Sequence, residues 1–465
     1  MVFSSITFIF IFLPAVLLVY RLVPSKWKNG CLFAFSLVFY AWGEPVFILL
    51  MLFAILFDYV IGLLMAGRKS RRARKAVLAL SVCVNLGILG FFKYAGLLAR
   101  TLQAVTGLPI PSPQVSLPIG ISFYTFESIS YAVDLYRGDA PVQRNLVDFG
   151  TYLSLFPHLI SGPIIRYKDI QAQLRGRKAA MPEFVDGCRR FSLGLFKKVM
   201  LADQLAQLAD RVQYFGSPSV LSAWLGALAF TFQIYFDFSG YTDMAVGLGH
   251  MFGFTLPENF NYPYVSRSAS EFWRRWHMTL GGWFREYLYF PLGGSRCSRL
   301  KMVRNLAIVW VLTGLWHGAE WNFAFWGAYW GLLIICEKLF LQKWLDRIPK
   351  FFSWLYAFVA AVVGWVFFSH TQLSAAFSAL AAMFGFAPGS DSLGTYSLVT
   401  FGLLLAVAAF GSSPLPARLA RSLRTGGRAG RAVWCAGFAG MFVVSLSYLV
   451  CNTYSPFLYF RFYFG

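Results

Sequence analysis

The sequence predicts an all-α polytopic membrane protein, in which about eleven transmembrane helices and several re-entrant or half helices form one integral-membrane domain over residues 1–465. Three observations predict this fold class. Of the 465 residues, 58% are hydrophobic and 13% are charged, whereas soluble proteins carry about 25% charged residues. The apolar residues form runs close to the roughly 20 residues that a transmembrane helix needs. The basic residues, which give a net charge of +21, cluster between those runs, as in cytoplasmic loops and unlike a nucleic-acid interface.

The first part of the chain alternates apolar runs with basic clusters. The apolar runs cover residues 2–20, 31–42, 45–65 and 76–99. The first has no Lys or Arg before it and Arg21 after it, which is the reverse of the charge order in a signal peptide. We therefore expect a retained span with a periplasmic N-terminus. The stretch 68–75 carries six basic residues and no acid, so we place it in a cytoplasmic loop. A Pro-rich connector at 108–118 follows the fourth run.

The middle of the chain is moderately apolar, but it carries more polar residues than a lipid-facing helix usually does. Segments 121–139 and 152–170 are rich in Ser, Gly, Pro and Tyr and carry Glu127 and His158. Such segments are expected to be shielded by other helices or bent around a polar cavity. Residues 220–254 then form one long run that contains two aspartates. We expect Asp237 and Asp243 to pair with nearby Tyr and Ser hydroxyls.

The remaining apolar runs cover residues 303–316, 321–341, 352–368, 373–386, 396–410 and 432–450, with the run at 373–386 the weakest. Segment 280–294, LGGWFREYLYFPLGG, lies between basic clusters and predicts a re-entrant turn. The stretch 418–431 carries five arginines and no acid. It therefore predicts a second cytoplasmic loop.

Two of the five histidines, His277 and His317, each follow a tryptophan in apolar surroundings. Burying a titratable imidazole has a solvation cost, and an ionisable residue at membrane depth is a candidate functional residue. A structural alternative stays open for both, because a packed imidazole can hydrogen-bond a neighbouring carbonyl. For His277, the preceding Arg274 and Arg275 also favour a position at a charged interface.

Other site chemistries find less support in the sequence. Ser, His and Asp are present, but no G-x-S-x-G motif occurs, so a serine nucleophile is not predicted. The histidines have no i, i+4 spacing that would favour a metal, and we predict none. The seven cysteines are scattered and form no CxxC pair, so we predict neither a disulfide framework nor a thiolate metal site.

The surroundings of the two histidines carry a family resemblance. His277 lies in FWRRWHMTL and His317, 40 positions later, in TGLWHG. This pair resembles the signature of the membrane-bound O-acyltransferase family. Further motifs are similar to the branch of that family that O-acetylates alginate. They are LPIGISFYTFESISY, FPHLISGPIIRY, FDFSGYTDMAVG, ENFNYPY and the C-terminal SPFLYFRF.

The resemblance implies a ring of helices around a thinned centre, with a tunnel that contains His317. It also implies an acetyltransferase of the bacterial inner membrane. This enzyme would take an acetyl group from a cytoplasmic thioester, acetyl-CoA as donor substrate, and would hold no bound cofactor. The implied partners are an exported polysaccharide such as alginate, a periplasmic esterase-like acetyltransferase and membrane lipids, but no nucleic acid.

The chemistry of acyl transfer gives the histidines roles within that resemblance. Transfer from a thioester to a hydroxyl needs a base, donors for the developing oxyanion, and exclusion of water. We assign His317 as the general base and His277 as the residue that orients or polarises the donor. His158 suits pocket lining and structural hydrogen bonding equally. The candidate substrate-lining or tunnel-lining residues are His158, Trp316, Trp273, Asn322 and Arg285.

Two alternatives remain open at the level of sequence. A sibling branch of the family transfers D-alanine to teichoic acid from a carrier protein and shares much of the motif pattern. A transporter or flippase would also place polar residues in membrane segments. Transporters often show inverted repeats with interrupted helices at matching positions, and the sequence shows no such symmetry.

Overall fold

The computed structural model describes residues 1–113, 115–177 and 180–451, and within these ranges the chain is helical and has no β-strand. The all-α prediction is confirmed. The motif SPFLYFRF lies outside the described residues, and so does Gln114 in the Pro-rich connector. Internal contacts divide the chain into two compact units, each treated separately below. The single domain over 1–465 stays a prediction.

The first unit comprises Met1–Phe191 and Thr242–Pro257. Short π-helical and 3₁₀ turns, Phe8–Phe12 and Ser25–Trp27, flank its first helix. Its helices are α1 (Leu13–Leu22), α2 (Lys28–Gly43), α3 (Ile48–Gly67), α4 (Arg71–Thr106), α5 (Ile121–Arg137), α6 (Leu146–Ser154), α7 (Phe156–Leu159), α8 (Tyr167–Gly176) and most of α9 (Met181–Phe196).

The second unit comprises Ser192–Tyr241 and, in the described chain, residues 258–451. The long helix α11 belongs partly to each unit. The helices of the second unit are α10 (Asp203–Gln213), α11 (Val220–Met251), α12 (Ala269–Arg275), α13 (Met278–Phe284), α14 (Arg299–His317), α15 (Trp321–Cys336), α16 (Gln342–Leu345), α17 (Lys350–Ser369), α18 (Leu373–Met383), α19 (Ser392–Gly411), α20 (Leu415–Thr425) and α21 (Gly427–Cys451). Its π-helical segments are Lys197–Ala202, Arg285–Tyr289 and Glu337–Leu341, and Pro263–Val265 is a 3₁₀ turn.

Seven helical segments in the described residues are long and apolar enough to cross a membrane, so the chain is a multi-pass membrane protein. They are Ile48–Gly67, Arg71–Thr106, Val220–Met251, Trp321–Leu345, Lys350–Ser369, Ser392–Gly411 and Gly427–Cys451. The ring of helices and its central tunnel stay predictions.

The seven candidate spans are fewer than the eleven predicted, because several apolar runs form helices that are too short or too charged. Phe8–Leu22 and Leu373–Met383 are apolar but have at most 17 residues. Helix α2 has 16 residues, and α14 begins with three Lys or Arg among its first six residues. The count of about eleven stays a prediction, because these segments are candidates by length and composition only. The first apolar run contains both buried residues, such as Phe8 and Val16, and exposed ones, such as Phe10 and Ile11.

Both basic stretches predicted as loops are largely helical. Helix α4 begins at Arg71, so most of stretch 68–75 forms its first turn, and α20 with the start of α21 covers 418–431. Arg, Lys, Ala and Leu are all good helix formers, and a charge cluster does not distinguish a loop from a solvated helix. The predicted cytoplasmic position of these stretches is a separate question and stays a prediction.

The two intramembrane aspartates have cationic partners that the sequence interpretation missed. In the second unit, the buried Lys198 lies 2.8 Å from Asp237 Oδ1 and 2.6 Å from Asp203 Oδ1. In the first unit, Arg190 Nε donates to Asp243 Oδ1 at 2.7 Å. The prediction named only hydroxyl partners because Arg190 lies 53 residues from its aspartate, beyond the reach of local pattern. Each of these buried carboxylates thus has a cation beside it, as buried charges in proteins usually do.

A tight helical hairpin in the second unit positions the second histidine of the signature. Helices α14 and α15 approach so closely that a side chain at Gly314 would overlap the carbonyl of Phe323. A side chain at Gly327 would overlap the carbonyl of Trp310. Small residues allow this backbone contact, as is common between membrane helices. The hairpin therefore holds the end of α14 in a fixed position.

Candidate active site

His317 is the last residue of α14, at the turn of the hairpin. Gly318 leaves the helix in an extended conformation, and its own N–H still bonds the carbonyl of Gly314. A side chain on Gly318 would overlap the ring of Phe323. Because glycine has no side chain, Gly318 permits the close approach of this aromatic ring. His317 is therefore fixed in a buried position, with 8% of its surface exposed.

An aromatic shell surrounds the His317 ring. The ring centroids of Trp316 and Trp326 each lie 5.0 Å from that of His317, and the centroid of Phe368 lies at 5.5 Å. All three rings meet the imidazole edge to face, a favourable aromatic geometry. Such a shell excludes water, which a site handling a hydrolysable acyl group requires.

His277 lies between α12 and α13 in the same unit and is 1% exposed. Its Nδ1 lies 3.2 Å from Asn259 Oδ1, and its ring meets that of Phe238 at 4.8 Å. His277 is outside the seven candidate spans. Burial lowers the pKa of its imidazole to about 3, because an apolar environment disfavours the charged form. The ring is therefore neutral at physiological pH.

One indole connects the two histidines of the signature. The Trp316 ring centroid lies 6.0 Å from that of His277 and 5.0 Å from that of His317. The structure thus brings together three residues that the sequence predicted for the site. The two imidazoles and the indole between them form a buried, aromatic-walled group.

The other predicted lining residues lie at different distances from this centre. Trp273 contacts Trp326 at 5.5 Å and therefore lies behind the shell of His317. Asn322 is buried at the start of α15, where its Nδ2 donates to the carbonyl of His370 at 2.8 Å. Arg285 is exposed at the start of a π-helical turn. In the part of the chain that the structure describes, Arg285 contacts neither histidine of the signature.

His158 belongs to the first unit and has a different environment. Its Nδ1 lies 3.2 Å from Glu127 Oε1, and its Nε2 lies 3.1 Å from the carbonyl oxygen of Tyr152. Glu127 Oε1 also accepts a hydrogen bond from the N–H of Ile165 at 2.9 Å. Both ring nitrogens of His158 therefore face protein oxygen atoms, as expected for the structural alternative.

Sequence reasoning missed several residues of the site. Asn259 lies in the motif ENFNYPY, which supported the resemblance without an assigned role. Trp326 and Phe368 belong to apolar runs in which no local signal distinguishes a site residue from a packed one. The buried Nε1–H of Trp326 has no hydrogen-bond partner in the part of the chain that the structure describes. It is therefore an available donor beside His317.

A cavity of about 690 Å³ lies elsewhere in the second unit. Residues near the ends of α10, α17 and α18 and the start of α11 line it, and most are small and apolar. Trp365 and His370 are among the lining residues, but neither signature histidine is. Among the described residues no group of three His, Cys, Asp or Glu side chains is arranged to hold a metal ion.

The fold and the site together define a multi-pass membrane protein with a buried, aromatic-walled pair of imidazoles. Comparison with known proteins identifies the class further. The sequence model described as MBOAT, membrane-bound O-acyltransferase family, matches residues 137–380. The chain belongs to the membrane-bound O-acyltransferase family, and the predicted family and enzyme class are confirmed.

Individual relatives extend this similarity over nearly the whole chain. The probable alginate O-acetylase AlgI of Azotobacter vinelandii is 47% identical over 395 residues, covering 83% of this chain and 78% of the relative. The protein of that name from Pseudomonas putida is 43% identical over 491 residues, 99% of this chain and 100% of the relative. A peptidoglycan O-acetyltransferase of Helicobacter pylori is 34% identical over 425 residues, 83% of this chain and 80% of the relative.

Proposed function

We propose that this chain is an O-acetyltransferase of the bacterial inner membrane that moves acetyl groups from a cytoplasmic thioester towards an exported polysaccharide such as alginate. One observation carries the proposal. The chain matches a relative named as a probable alginate O-acetylase over almost the full length of both proteins. As a family member it uses an acyl donor, and we propose acetyl-CoA for that donor.

His317 is the proposed general base. It takes the proton of the acceptor hydroxyl as that oxygen attacks the thioester carbonyl carbon. The C–S bond then breaks, and the leaving thiolate takes up a proton. The aromatic shell around His317 supports this role, because it keeps competing water from the reacting carbonyl. General-base catalysis contributes about 10²- to 10⁴-fold in rate.

His277 is proposed to orient or polarise the donor from the other side of Trp316. The indole contact to both imidazoles supports a shared site. Trp316, Trp273 and Asn322 would form the wall around the reacting groups, and the N–H of Trp326 is available to a developing oxyanion. Arg285 would attract the anionic donor from the surface.

We further propose that a separate periplasmic esterase-like protein completes transfer to the polymer. The described residues are mostly helices with apolar surface, and no soluble domain able to hold a polymer is evident in them. The purified chain should therefore release thiol from acetyl-CoA slowly. It should acetylate alginate efficiently only with the periplasmic partner present. Efficient acetylation by the chain alone would contradict the need for a partner.

The decisive experiment compares two donors. Purified full-length chain is incubated with acetyl-CoA or with a D-alanyl carrier protein, and acyl release is followed with His317→Ala as the control. We expect histidine-dependent release of thiol from acetyl-CoA. Release from the carrier protein alone would replace acetyl transfer by D-alanyl transfer. Movement of a substrate across the membrane without acyl release would indicate a transporter or flippase.

The proposed orientation has its own test. The N-terminus is periplasmic and both basic stretches are cytoplasmic in this proposal. A reporter that is active only in the periplasm is fused after Lys69, between α3 and α4, or after Gly426, between α20 and α21. Both fusions should be silent, and the same reporter at the N-terminus should be active. Activity at either internal position would overturn the orientation.

A further inference from the structure

Asn259 bonds the segment that carries His277 through both its side-chain oxygen and its main-chain carbonyl. Its Oδ1 accepts hydrogen bonds from the N–H of Thr279 at 3.1 Å and from the Thr279 hydroxyl at 2.8 Å. The same oxygen lies 3.2 Å from His277 Nδ1. Its main-chain carbonyl accepts from the N–H of Met278 at 3.0 Å. Asn259 is 1% exposed, so these bonds are sheltered from water.

These bonds hold an uncommon backbone conformation. His277 has φ +43°, in the left-handed region, and among described non-glycine residues only Tyr262 shares a positive φ. A non-glycine residue in this region carries a conformational cost and persists only where its surroundings enforce it. The bonds from Met278 and Thr279 to Asn259 supply that enforcement, because they flank His277 on its C-terminal side.

The hydrogen-bond pattern also determines the tautomer of His277. The main-chain N–H of Thr279 can only donate, so the atom of Asn259 that faces it must be the amide oxygen. His277 Nδ1 faces that same oxygen and must therefore carry a proton. In a neutral imidazole, Nε2 is then the atom with the free lone pair. His277 Nε2 is buried and has no hydrogen-bond partner in the described chain.

We propose that Asn259 is a positioning residue that fixes His277 as a hydrogen-bond acceptor at Nε2, so that this ring binds a hydroxyl or an amide N–H of the substrate. A lone pair cannot polarise the thioester carbonyl. Of the two roles considered for His277, this selects orientation of the substrate. The inference rests on the proposed function, because it needs His277 in the acyl-transfer site.

The charged groups around His277 leave this neutral form undisturbed. On α11, Asp237 is paired with Lys198, and on α12, Glu271 is paired with Arg275 at 2.9 Å. His317, on α14, meets Trp316, which also meets the His277 ring. None of these groups is recorded in contact with the His277 ring, whose recorded neighbours are Asn259, Phe238 and Trp316.

A direct test reads the tautomer without any substrate. The full-length chain, which has five histidines, is labelled with ¹⁵N-histidine and placed in lipid nanodiscs. The His277 signals are assigned by their loss in His277→Gln. We expect a protonated Nδ1 and a bare Nε2, and in Asn259→Ala a mixture of the two tautomers. A protonated Nε2 in the unchanged protein would overturn the inference.

Activity measurements separate a positioning role of Asn259 from a purely structural one. Thiol release from acetyl-CoA should fall about three- to tenfold in Asn259→Ala, the range expected when one hydrogen bond of about 1 kcal/mol is lost. Asn261→Ala is the matched control, because this asparagine of the same loop is exposed and its recorded bonds use main-chain atoms. It should keep normal activity.

Asn259→Asp gives the sharper readout. A carboxylate facing Nδ1 stabilises the imidazolium form, so the pKa of His277 rises. Activity needs the unprotonated Nε2, so it is present above the raised pKa and lost as pH falls through it. The acid limb of the rate profile should therefore move to higher pH, with recovery at alkaline pH. Equal loss at every pH, in both variants, would indicate packing alone and overturn the inference.

A double variant separates this inference from the proposed function. If Asn259 acts through His277, adding Asn259→Ala to His277→Ala should cause no further loss of activity. Fully additive losses would overturn the positioning role and leave the acyltransferase proposal intact. Normal activity of His277→Ala alone would instead remove His277 from the proposed site.

Discussion

Two buried imidazoles, His158 in the first unit and His277 in the second, are equally hidden but differently bonded. Each is 1% exposed. His158 has protein oxygen atoms within 3.2 Å of both ring nitrogens, whereas His277 has such a partner at Nδ1 and none at Nε2 in the described residues. Burial therefore does not distinguish a structural histidine from a candidate functional one. The two rings differ in their neighbours, since the Glu127 carboxyl lies 3.2 Å from His158 Nδ1 and no protein oxygen lies beside His277 Nε2 in the described chain.

The chain around each of the two histidines strengthens the contrast between His158 and His277. Near His158 the chain is packed so closely that a side chain on Gly162 would overlap the backbone of His158. Glu127 contacts both that ring and the N–H of Ile165, which fastens α5 to the segment after α7. Near His277 the backbone is held in a left-handed conformation. Conformational strain of this kind concentrates at functional sites.

The largest expected effect is that of His317→Ala. Loss of a general base should lower acyl transfer at least about 10²-fold, with donor affinity changed much less, because the interaction belongs to the transition state. The protein should still accumulate in the membrane, since at most one or two unpaired groups result, at about 1 to 3 kcal/mol each. Polymer acetylation in cells, normalised to protein amount, measures turnover, and acetyl-CoA binding to the purified variant measures affinity.

The matched control is His250→Ala, because His250 belongs to the first unit and has no proposed role in the site. It should acetylate normally. Near-normal acetylation by a well-expressed His317→Ala protein would return His317 to a structural role. The histidines of the second unit would then no longer differ in function from the histidine of the first unit.

His277→Ala should have a smaller effect. One hydrogen bond to substrate contributes about 1 to 1.5 kcal/mol, which corresponds to about a tenfold change. Because the substrate is also held by this bond before reaction, donor or acceptor binding should weaken together with turnover. Separate kcat and KM values for thiol release from acetyl-CoA check this. A loss as large as that of His317→Ala would make His277 an equal partner in proton transfer.

Arg285→Ala should change activity less again. Its side chain is exposed, so it can attract an anionic donor only through a screened field. We expect KM for acetyl-CoA to rise about two- to fivefold at low salt, with kcat unchanged and the difference lost at high salt. The exposed Arg274 serves as the control. A lower kcat at all salt concentrations would instead place Arg285 at the reacting groups.

The sequence was sufficient for the parts of this molecule that depend on local pattern. Apolar runs predicted the seven candidate spans, and the two signature motifs predicted that His277, Trp316 and His317 belong together. It was insufficient where tertiary contacts decide. The basic stretches are helical because helix propensity and packing, not charge, determine the backbone.

Long-range partners account for the remaining gaps. Arg190 and Asp243 meet across 53 residues, and Asn259 reaches His277 across 18. No spacing rule connects such pairs, because they meet only when separate segments pack. For the same reason the sequence left His158 open between two roles. Its partner Glu127 lies on α5, while His158 lies on α7.

His158→Ala should have the smallest effect on activity per molecule. It also tests the contrast between His158 and His277 most directly. Removing the imidazole leaves the buried Glu127 carboxyl without this neighbour, at a cost of about 1 to 3 kcal/mol. The variant should therefore accumulate poorly, while each folded molecule acetylates within about twofold of normal. Adding Glu127→Gln replaces the unpartnered carboxyl group by a neutral amide and leaves an acceptor for the N–H of Ile165, so abundance should partly recover. Membrane abundance and acetylation per molecule are measured for both variants. If His158→Ala were instead abundant but inactive, a histidine with protein oxygen atoms beside both ring nitrogens would be functional, and these neighbours would no longer separate His158 from His277.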